Sequence, residues 1–470
     1  MERGGTQGIQ FGVQIVLARI LLPKDYGVIA LITVFLAVAV VFVQSGFNSA
    51  LIQKKDVDEL DLSSVFYLSL SVAGVMYIVL FFAAPAISRF YNEPQLVMVL
   101  RILSLTLFAG ALNSIQIAVV SRAMQFKRFF FSSLGAILAS GIVGIAMAYM
   151  GYRVWAIVGQ QLTNQFMIAL ILWFTVKWRP KWMLSIERLK GLFSYGWKLL
   201  CSGLLDTVYN NIYNLVIGKI YNPEMLGYFN RGDHFPKLLI TNINGSIQSV
   251  MLPALSAHQD DRVRVKAMVR RSIVTSSFII FPVMAGLAVV AESLVKVVLT
   301  DKWLPCVPFL QLMCISYAFW PIHTANLQAI NAMGRSDIFL KLEIIKKGLG
   351  VAALFVTIPF GIYVMVASRP IMGFIATIIN SFPNKELMNY SFKEQWLDII
   401  PSLILSLVMG SIIYVIQFIG LAAWITLLLQ VIAGITVYFG LALIFKLECC
   451  RYLLDTVKEI LGSRSKTQVG

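Results

Sequence analysis

One stretch of the chain, YFNRGDHFPKLLITNINGSIQ at residues 228–248, concentrates ionisable and amide side chains that could bind an anionic, hydroxyl-rich ligand. Arginine offers a planar donor fork suited to phosphate and lysine a point charge, so Arg231 and Lys237 are candidate ligands of a charged head group. Asp233 is a candidate counter-ion, and Arg231 could also simply pair with it. If the stretch is helical, one polar stripe follows it: Asn230, His234, Lys237, Thr241, Asn244 and Gln248.

Two other segments place polar side chains on one helical face, with spacings of i, i+3, i+7 and i, i+4, i+8: Gln7, Gln10 and Gln14, and then Asp206, Asn210 and Asn214. We interpret these faces and the stripe as the lining of a water-filled cleft. The alternative is that the amides only hydrogen-bond between helices. Asp206 could be a proton or cation site, or a counter-ion.

Three further cations are candidate head-group ligands. Arg19 and Lys219 lie near the ends of predicted helices, where long basic side chains also extend to the membrane interface without binding a ligand. Arg369 lies inside the apolar run GIYVMVASRPIMGFIATIIN, which contains no acidic residue. A cation in that position needs either a partner from another helix or an anionic ligand.

The composition predicts whether these residues lie in a membrane or in water. Hydrophobic residues make up 58% of the chain and charged residues 13%, about half the usual share in soluble proteins. The formal net charge is +16, but the cations lie mostly in short connections between apolar runs, which is a topology signal and not a nucleic-acid footprint. The chain is therefore predicted to be a polytopic membrane protein that binds no nucleic acid.

Hydropathy, with proline, glycine and charge punctuation, predicts about fourteen membrane spans. Their approximate ranges are 5–22, 27–52, 62–87, 96–121, 130–150, 152–176, 197–220, 226–255, 270–299, 304–331, 338–359, 361–382, 396–418 and 421–446. Lysine and arginine concentrate in the even-numbered connections and after the last span. Because cations favour the cytoplasmic side, both termini are predicted to be cytoplasmic, and the stretch 228–248 must belong to a membrane crossing.

A repeat relates the two halves of the chain. ARILLPKDYG at 18–27 and GKIYNPEMLG at 218–227 share the pattern basic–Ile–x–x–Pro–x–x–x–Gly at an offset of 200 residues. Repeats of this kind are typical of transporters. They predict two parallel, pseudo-symmetric six-helix bundles with two appended helices. The predicted parts are an N-terminal bundle at 1–176, a cytoplasmic linker at 177–196, a C-terminal bundle at 197–382, a cytoplasmic connection at 383–395, the last two helices at 396–446 and a cytoplasmic tail at 447–470.

The sequence lacks the motifs that are typical of several other functions. The five cysteines include no C-x-x-C spacing and the three histidines are scattered, so we expect neither a metal site nor a disulfide framework. There is no G-x-x-x-x-G-K-[ST] motif, no nucleophile–base pair and no long outer connection, so we expect no cofactor and no catalytic residues. The opening MERGGTQGIQF lacks the features of a cleaved signal peptide.

Several stretches together resemble a known family: YGVIALITVFLAVAVVFVQSGFNSALIQKKDVDELDLSSVFYLSLSVAG, GYRVWAIVGQQLTNQ, LGYFNRGDHFPKLLITNINGSIQSVMLPALSAHQDDRVR and GRSDIFLKLEIIKKGLG. By their order and spacing, the chain resembles the Wzx-like polysaccharide transporters, of the colanic and teichuronic acid exporter type, in the multidrug/oligosaccharidyl-lipid/polysaccharide flippase superfamily. Members usually carry a basic arm before the first helix, which MERGG does not supply; if the chain is truncated or its start is misassigned, the first helix is expected to be short by a turn or two.

The resemblance implies a fourteen-helix inner-membrane carrier. It implies translocation of an undecaprenyl-pyrophosphate-linked oligosaccharide from the cytoplasmic to the outer leaflet by alternating access, for surface polysaccharide synthesis. The implied partners are the lipid-linked oligosaccharide, membrane lipids and the polysaccharide polymerase and export machinery. Three alternatives stay open: a multidrug or cation antiporter of the same superfamily, a membrane-embedded glycan polymerase, and an assembly scaffold without transport.

Overall fold

The computed structural model describes residues 2–44, 51, 57–447 and 449–450, and it folds them almost entirely into α-helices. In chain order these are α1 Glu2–Ile20, α2 Pro23–Gln44, α3 Glu59–Tyr91, α4 Gln95–Leu103, α5 Thr106–Arg122, α6 Phe126–Tyr149, α7 Val154–Thr175, α8 Ile186–Ile220, α9 Pro223–Ser256, α10 Arg262–Val298, α11 Val307–Ala318, α12 Trp320–Ala332, α13 Ser336–Thr357, α14 Ile362–Ser381, α15 Asn384–Met388, α16 Phe392–Val415 and α17 Ala423–Ile444. The all-α fold class predicted from the sequence is confirmed.

Eleven segments of the described chain are long and apolar enough to cross a membrane. They are Pro23–Gln44, Glu59–Tyr91, Gln95–Arg122, Lys127–Tyr149, Val154–Thr175, Pro223–Ser256, Arg262–Val298, Asp301–Ala332, Ile362–Met388, Phe392–Ile419 and Ala423–Ile444. The other three predicted spans fall on α1, α8 and α13, which are helices of 19, 35 and 22 residues but more polar. The membrane class is thus confirmed, and the count of fourteen stays a prediction.

Two predicted spans are each built from two helices. The range 96–121 corresponds to α4 and α5, and the hydroxyl of Ser104 at the break donates to the carbonyl of Leu100 at 2.6 Å. The range 304–331 corresponds to a 3-10 turn at Asp301–Cys306 followed by α11 and α12. Pro321 follows the second break, and proline removes a helical donor and disfavours helical geometry in the residue before it. The end of the predicted span 27–52 lies outside the described residues.

The repeated motif sets equivalent helix boundaries. α1 ends at Ile20 and α2 begins at Pro23, while α8 ends at Ile220 and α9 begins at Pro223. Proline is favoured at the first helical position because its fixed φ suits the helix and its missing N–H is not needed there.

The two copies of the motif also contact each other reciprocally. A β-carbon at Gly27 would overlap the carbonyl oxygen of Pro223, and one at Gly227 would overlap the carbonyl oxygen of Pro23. Both positions therefore require glycine, because only a missing side chain allows two helix starts to cross at this distance.

The chain divides into two compact units, Met1–Asn230 and Arg231–Gly470, and the boundary falls inside α9. In the first unit α2 packs against α8, and α6 packs against α1 and α7. In the second unit α10 packs against α11, α16 and α17, while α11 packs against α14. The predicted division into bundles at 1–176 and 197–382, and their pseudo-symmetry, stay predictions.

Candidate functional site

A close helix contact positions the charged residues near the start of the second unit. A β-carbon at Gly232 of α9 would lie 2.8 Å from the Leu310 backbone nitrogen, 2.8 Å from Phe309 Cβ and 2.9 Å from the Cys306 carbonyl oxygen. No side chain larger than hydrogen fits without a shift. Gly232 therefore holds α9 directly against the start of α11, and the two charged residues beside it are placed by the same contact.

Arg231 lies inside this packing. The side chain is buried, with 5% of its surface exposed, and its guanidinium carbon is 5.3 Å from the ring centroid of Trp303. Trp303 is completely buried. A guanidinium over an indole face gains cation–π attraction, which is stronger where water is excluded. Arg231 is therefore a buried cation in this unit.

Asp233 is the centre of an ion cluster that joins three helices. The hydroxyl of Tyr317 on α11 donates to its Oδ1 at 2.7 Å, and NH1 of Arg369 on α14 lies 3.6 Å from the same oxygen. Nζ of Lys237, one turn further along α9, lies 3.8 Å from Oδ2. We call Asp233, Lys237, Tyr317 and Arg369 the Asp233 cluster. Its two cations share one carboxylate, so the cluster carries an excess of positive charge.

The cluster is open on one side. The Asp233 side chain is 13% exposed, whereas that of Lys237 is 56% exposed. The carboxylate is thus held inside the packing, and the ammonium group remains accessible to a ligand. The question that the sequence left open for Arg369 is answered as well, because it has an acidic partner on a neighbouring helix.

The rest of the predicted α9 stripe is divided between surface and core. Thr241 and Gln248 are exposed, His234 is half-buried and Asn244 is buried. The hydroxyl of Thr241 donates to the carbonyl of Lys237 at 2.7 Å, as hydroxyls commonly do inside helices. The exposed part of the stripe is therefore narrower than the periodicity predicts.

The remaining predicted residues lie in the first unit, where some already have protein partners. The Asn230 amide donates to Asn214 Oδ1 at 3.2 Å, and the Asn214 amide donates to Asn211 Oδ1 at 3.3 Å. The Lys219 ammonium donates to the carbonyl of Phe90 at 2.6 Å and lies 4.1 Å from that ring centroid. For Asn214 this is the interhelical hydrogen bonding considered as the alternative to a cleft lining.

The other members of the predicted set in this unit are at or near the surface. The exposed residues are Gln10, Arg19, Asp206 and Asn210, and the half-buried one is Gln14. Their predicted roles stay predictions.

Sequence reasoning missed three residues that shape the site: Gly232, Trp303 and Tyr317. A tyrosine hydroxyl inside an apolar helix needs a hydrogen-bond partner, so Tyr317 was a detectable signal. Gly232 and Trp303 had no local signal, because their importance comes from contacts between segments about seventy residues apart in the chain.

An apolar groove of about 510 Å³ lies in the same unit, bordered by α10, α16 and α17. Phe278, Val283, Met409 and Ile435 are among its lining residues. Leu239 of α9 also contributes, two residues after Lys237. The second unit thus combines an exposed cation with an apolar groove.

Comparison with known proteins identifies relatives along most of the chain. The model of a family described as polysaccharide biosynthesis protein matches residues 16–308. The teichuronic acid biosynthesis protein TuaB of Bacillus subtilis (strain 168) is 25% identical over 311 residues, which cover 64% of this chain and 62% of that protein's length. The lipopolysaccharide biosynthesis protein WzxC of Escherichia coli (strain K12) is 24% identical over 418 residues, 85% of this chain and 83% of that protein.

Solved structures share the fold. The lipid II flippase MurJ in its inward closed conformation superposes with a TM-score of 0.75 at 17% identity, covering 94% of this chain and 97% of that one. An inward-facing multidrug resistance transporter of the MATE family gives a TM-score of 0.63 at 13% identity, covering 82% and 94%. At these identities the likeness describes the fold alone.

Proposed function

This chain belongs to the polysaccharide biosynthesis protein family, and from that membership we propose that it is a flippase for lipid-linked oligosaccharides. The proposed substrate is a sugar repeat unit on undecaprenyl pyrophosphate, moved across the inner membrane by alternating access for surface polysaccharide synthesis. The names of TuaB and WzxC, which refer to the biosynthesis of teichuronic acid and of lipopolysaccharide, support the proposal. So does the fold shared with a lipid II flippase.

The structural observation that carries the proposal is the Asp233 cluster. Charged groups within membrane helices are costly, and those that persist mark substrate or ion pathways. Here two cations share one carboxylate, and the accessible one is Lys237. Asp233 compensates only one of the two positive charges in the cluster. A diphosphate bound beside Lys237 and Arg369 would compensate the other.

The surroundings match the other parts of such a substrate. Thr241 and Gln248 are exposed on α9 beyond Lys237 and offer hydrogen bonds to sugar hydroxyls. The apolar groove that Leu239 shares offers a hydrocarbon surface for part of a polyprenyl chain. We propose that the head group binds at the cluster while the tail stays in contact with lipid.

We infer the orientation from the distribution of cations. The positively charged connections favour a chain with both termini in the cytoplasm of a bacterial inner membrane. In this orientation the substrate would be received from cytoplasmic enzymes, and the product would be delivered to a polymerase and export machinery on the outer side.

Complementation tests the proposal. In a strain lacking this gene, Lys237→Gln should reduce surface polysaccharide about tenfold, because it removes a charge-assisted contact worth about 1.5 kcal/mol or more. Lys341→Gln is the matched control, since Lys341 is an exposed lysine on α13, outside the cluster. Immunoblots of membranes should show equal amounts of both variants.

Two results would contradict the proposal. Full polysaccharide production by both Lys237→Gln and Arg369→Gln would show that the cluster has no role in transport. Unchanged polysaccharide in the deletion strain, together with increased sensitivity to cationic drugs, would favour the antiporter alternative that the likeness to MATE transporters brings into view.

A further inference from the structure

The connection after α3 is a tight turn that is fixed to the start of α2. Asn92 ends the helix with a positive φ of 54°, a conformation common at helix ends, and the Ser88 hydroxyl donates to the carbonyl of Glu93 at 2.9 Å. The Glu93 side chain is only 8% exposed, and its carboxylate lies 3.0 Å from Nζ of Lys24 on α2. The turn is therefore held against α2 by a largely buried acidic group.

Lys219, in the last turn of α8, contacts this part of the chain. Its ammonium group donates to the carbonyl of Phe90 at 2.6 Å and lies 4.1 Å from the centroid of the Phe90 ring. A cation held by a carbonyl oxygen and a ring face gains a charge-assisted hydrogen bond and a cation–π attraction. The contact joins the end of α8 to the end of α3.

The residues on both sides of Lys219 pack closely against α2. A β-carbon at Gly218 would overlap the side chain of Leu31 on α2. The crossing of the two motif copies, in which Gly227 meets the start of α2, follows a few residues later. Small residues allow helices to approach in this way. The Lys219 contact therefore borders a close packing of α2 against α8 and the start of α9, all within the first unit.

The predicted division into bundles gives these contacts different roles. With the linker at 177–196 as the boundary, Lys24 and Glu93 belong to one bundle, whereas Lys219 and Phe90 belong to different ones. Alternating access rocks one bundle against the other largely as rigid bodies. A contact inside a bundle should then persist, whereas a contact between bundles at the closed end should break.

We propose that the Lys219–Phe90 contact is a latch that holds this end of the protein closed, and that Lys219 controls the conformational change instead of binding the head group. The inference rests on the proposed transport by alternating access, but it concerns a different part of the chain from the Asp233 cluster. Because the contact exists only in the closed state, its loss should shift the population toward the state in which this end is open.

Thiol accessibility in the purified full-length protein tests the latch. Leu226, next to Gly227 in the crossing, is completely buried, so a cysteine at this position should react only when the crossing opens. The reporter is Leu226→Cys in a variant whose five native cysteines are replaced by serine. Adding Lys219→Gln should make labelling by N-ethylmaleimide about fivefold faster, which corresponds to the loss of a cation–π contact at a partly exposed site. Adding Lys219→Arg, which keeps the cation, should leave the rate unchanged.

Arg101 provides a matched control, because it makes the same kind of contact inside the first predicted bundle. Its Nε donates to the carbonyl of Phe81 at 3.2 Å, and its guanidinium carbon lies 3.9 Å from the centroid of the Phe81 ring. Arg101 is on α4 and Phe81 is on α3. Arg101→Gln should therefore leave the labelling rate unchanged. Phe90→Leu, which removes the ring but keeps the carbonyl, should accelerate labelling less than Lys219→Gln does.

Thermal unfolding checks that every variant folds, and the labelling rates decide the outcome. Acceleration by Lys219→Gln and not by Arg101→Gln supports the latch. Equal acceleration by both would overturn it, because the loss of any such contact would then loosen the protein. Unchanged labelling in Lys219→Gln would also overturn it. That result would leave the proposed function as it stands, since the measurement needs no lipid-linked oligosaccharide, and reduced surface polysaccharide in the same variant would return Lys219 to the head-group ligands.

Discussion

Asp233 organises the candidate site at the scale of single residues. Its carboxylate accepts a hydrogen bond from Tyr317 and lies within 4 Å of the cationic groups of Arg369 and Lys237. In a membrane interior, an ion pair that loses one member leaves an uncompensated charge, which costs more than the pair itself contributes. The cluster should therefore behave as a unit, and single substitutions should not be additive.

A double-mutant cycle tests this coupling. Asp233→Asn and Arg369→Gln should each lower stability, because the first leaves both cations without their carboxylate and the second leaves Asp233 with Lys237 as its counter-charge in this cluster. The double variant should recover about 0.5–3 kcal/mol relative to the sum of the single effects. The measurement is denaturant unfolding in detergent for the wild type and the three variants. Strictly additive changes would mean that the 3.6 Å contact has no energetic weight.

At the scale of helices, glycine decides how closely α9 approaches its neighbour. A β-carbon at Gly232 would meet backbone atoms of residues 306 and 310, whereas one at Gly245, thirteen residues further along the same helix, would meet no neighbouring atom within 4 Å. The same helix thus carries a matched pair of glycines, one in close contact and one in open space.

Alanine substitutions at these two positions should differ in sign. Gly232→Ala should destabilise the protein by about 1–3 kcal/mol through overpacking, and it should reduce polysaccharide production by shifting Arg231 and Asp233. Gly245→Ala should leave stability unchanged or raise it by up to about 1 kcal/mol, because alanine favours the helix. Thermal unfolding and surface polysaccharide are the two readouts. Equal tolerance of both substitutions would mean that the close contact of α9 does not position the site.

The helices were largely predictable, because their signals are local. Pro23 and Pro223 mark real helix starts, and apolar runs mark real helices. The break at Ser104 was not predicted, since a single hydroxyl changes hydropathy very little. The site was predicted only in part: polar periodicity identified Lys237, and their charges identified Asp233 and Arg369, but the link of Asp233 to Tyr317 and Arg369 joins residues 84 and 136 positions apart.

For the whole molecule, the open question is how many helices cross the membrane. α8 and α13 fall outside the eleven apolar segments because of their polar residues. α8 carries Asp206, Asn210 and Asn214, and α13 carries Lys341, Glu343 and Lys346. Polar residues of this kind lower mean hydropathy without preventing insertion, provided that they face protein or water. An even total of fourteen places the two termini on the same side, whereas an odd total of eleven places them on opposite sides.

Cysteine accessibility in intact cells distinguishes the two topologies. In a variant with its five native cysteines replaced by serine, single cysteines at Glu187 and Glu224 bracket most of α8, and those at Ser336 and Phe360 bracket α13. All four positions are exposed. A membrane-impermeant maleimide should label positions 224 and 360 directly, and positions 187 and 336 only after permeabilisation, because the cation-rich connections stay inside. Labelling from one side at both ends of α13 would show that this helix lies along the membrane surface, and the positions of the lysines on it would then reflect an interfacial role and not a crossing.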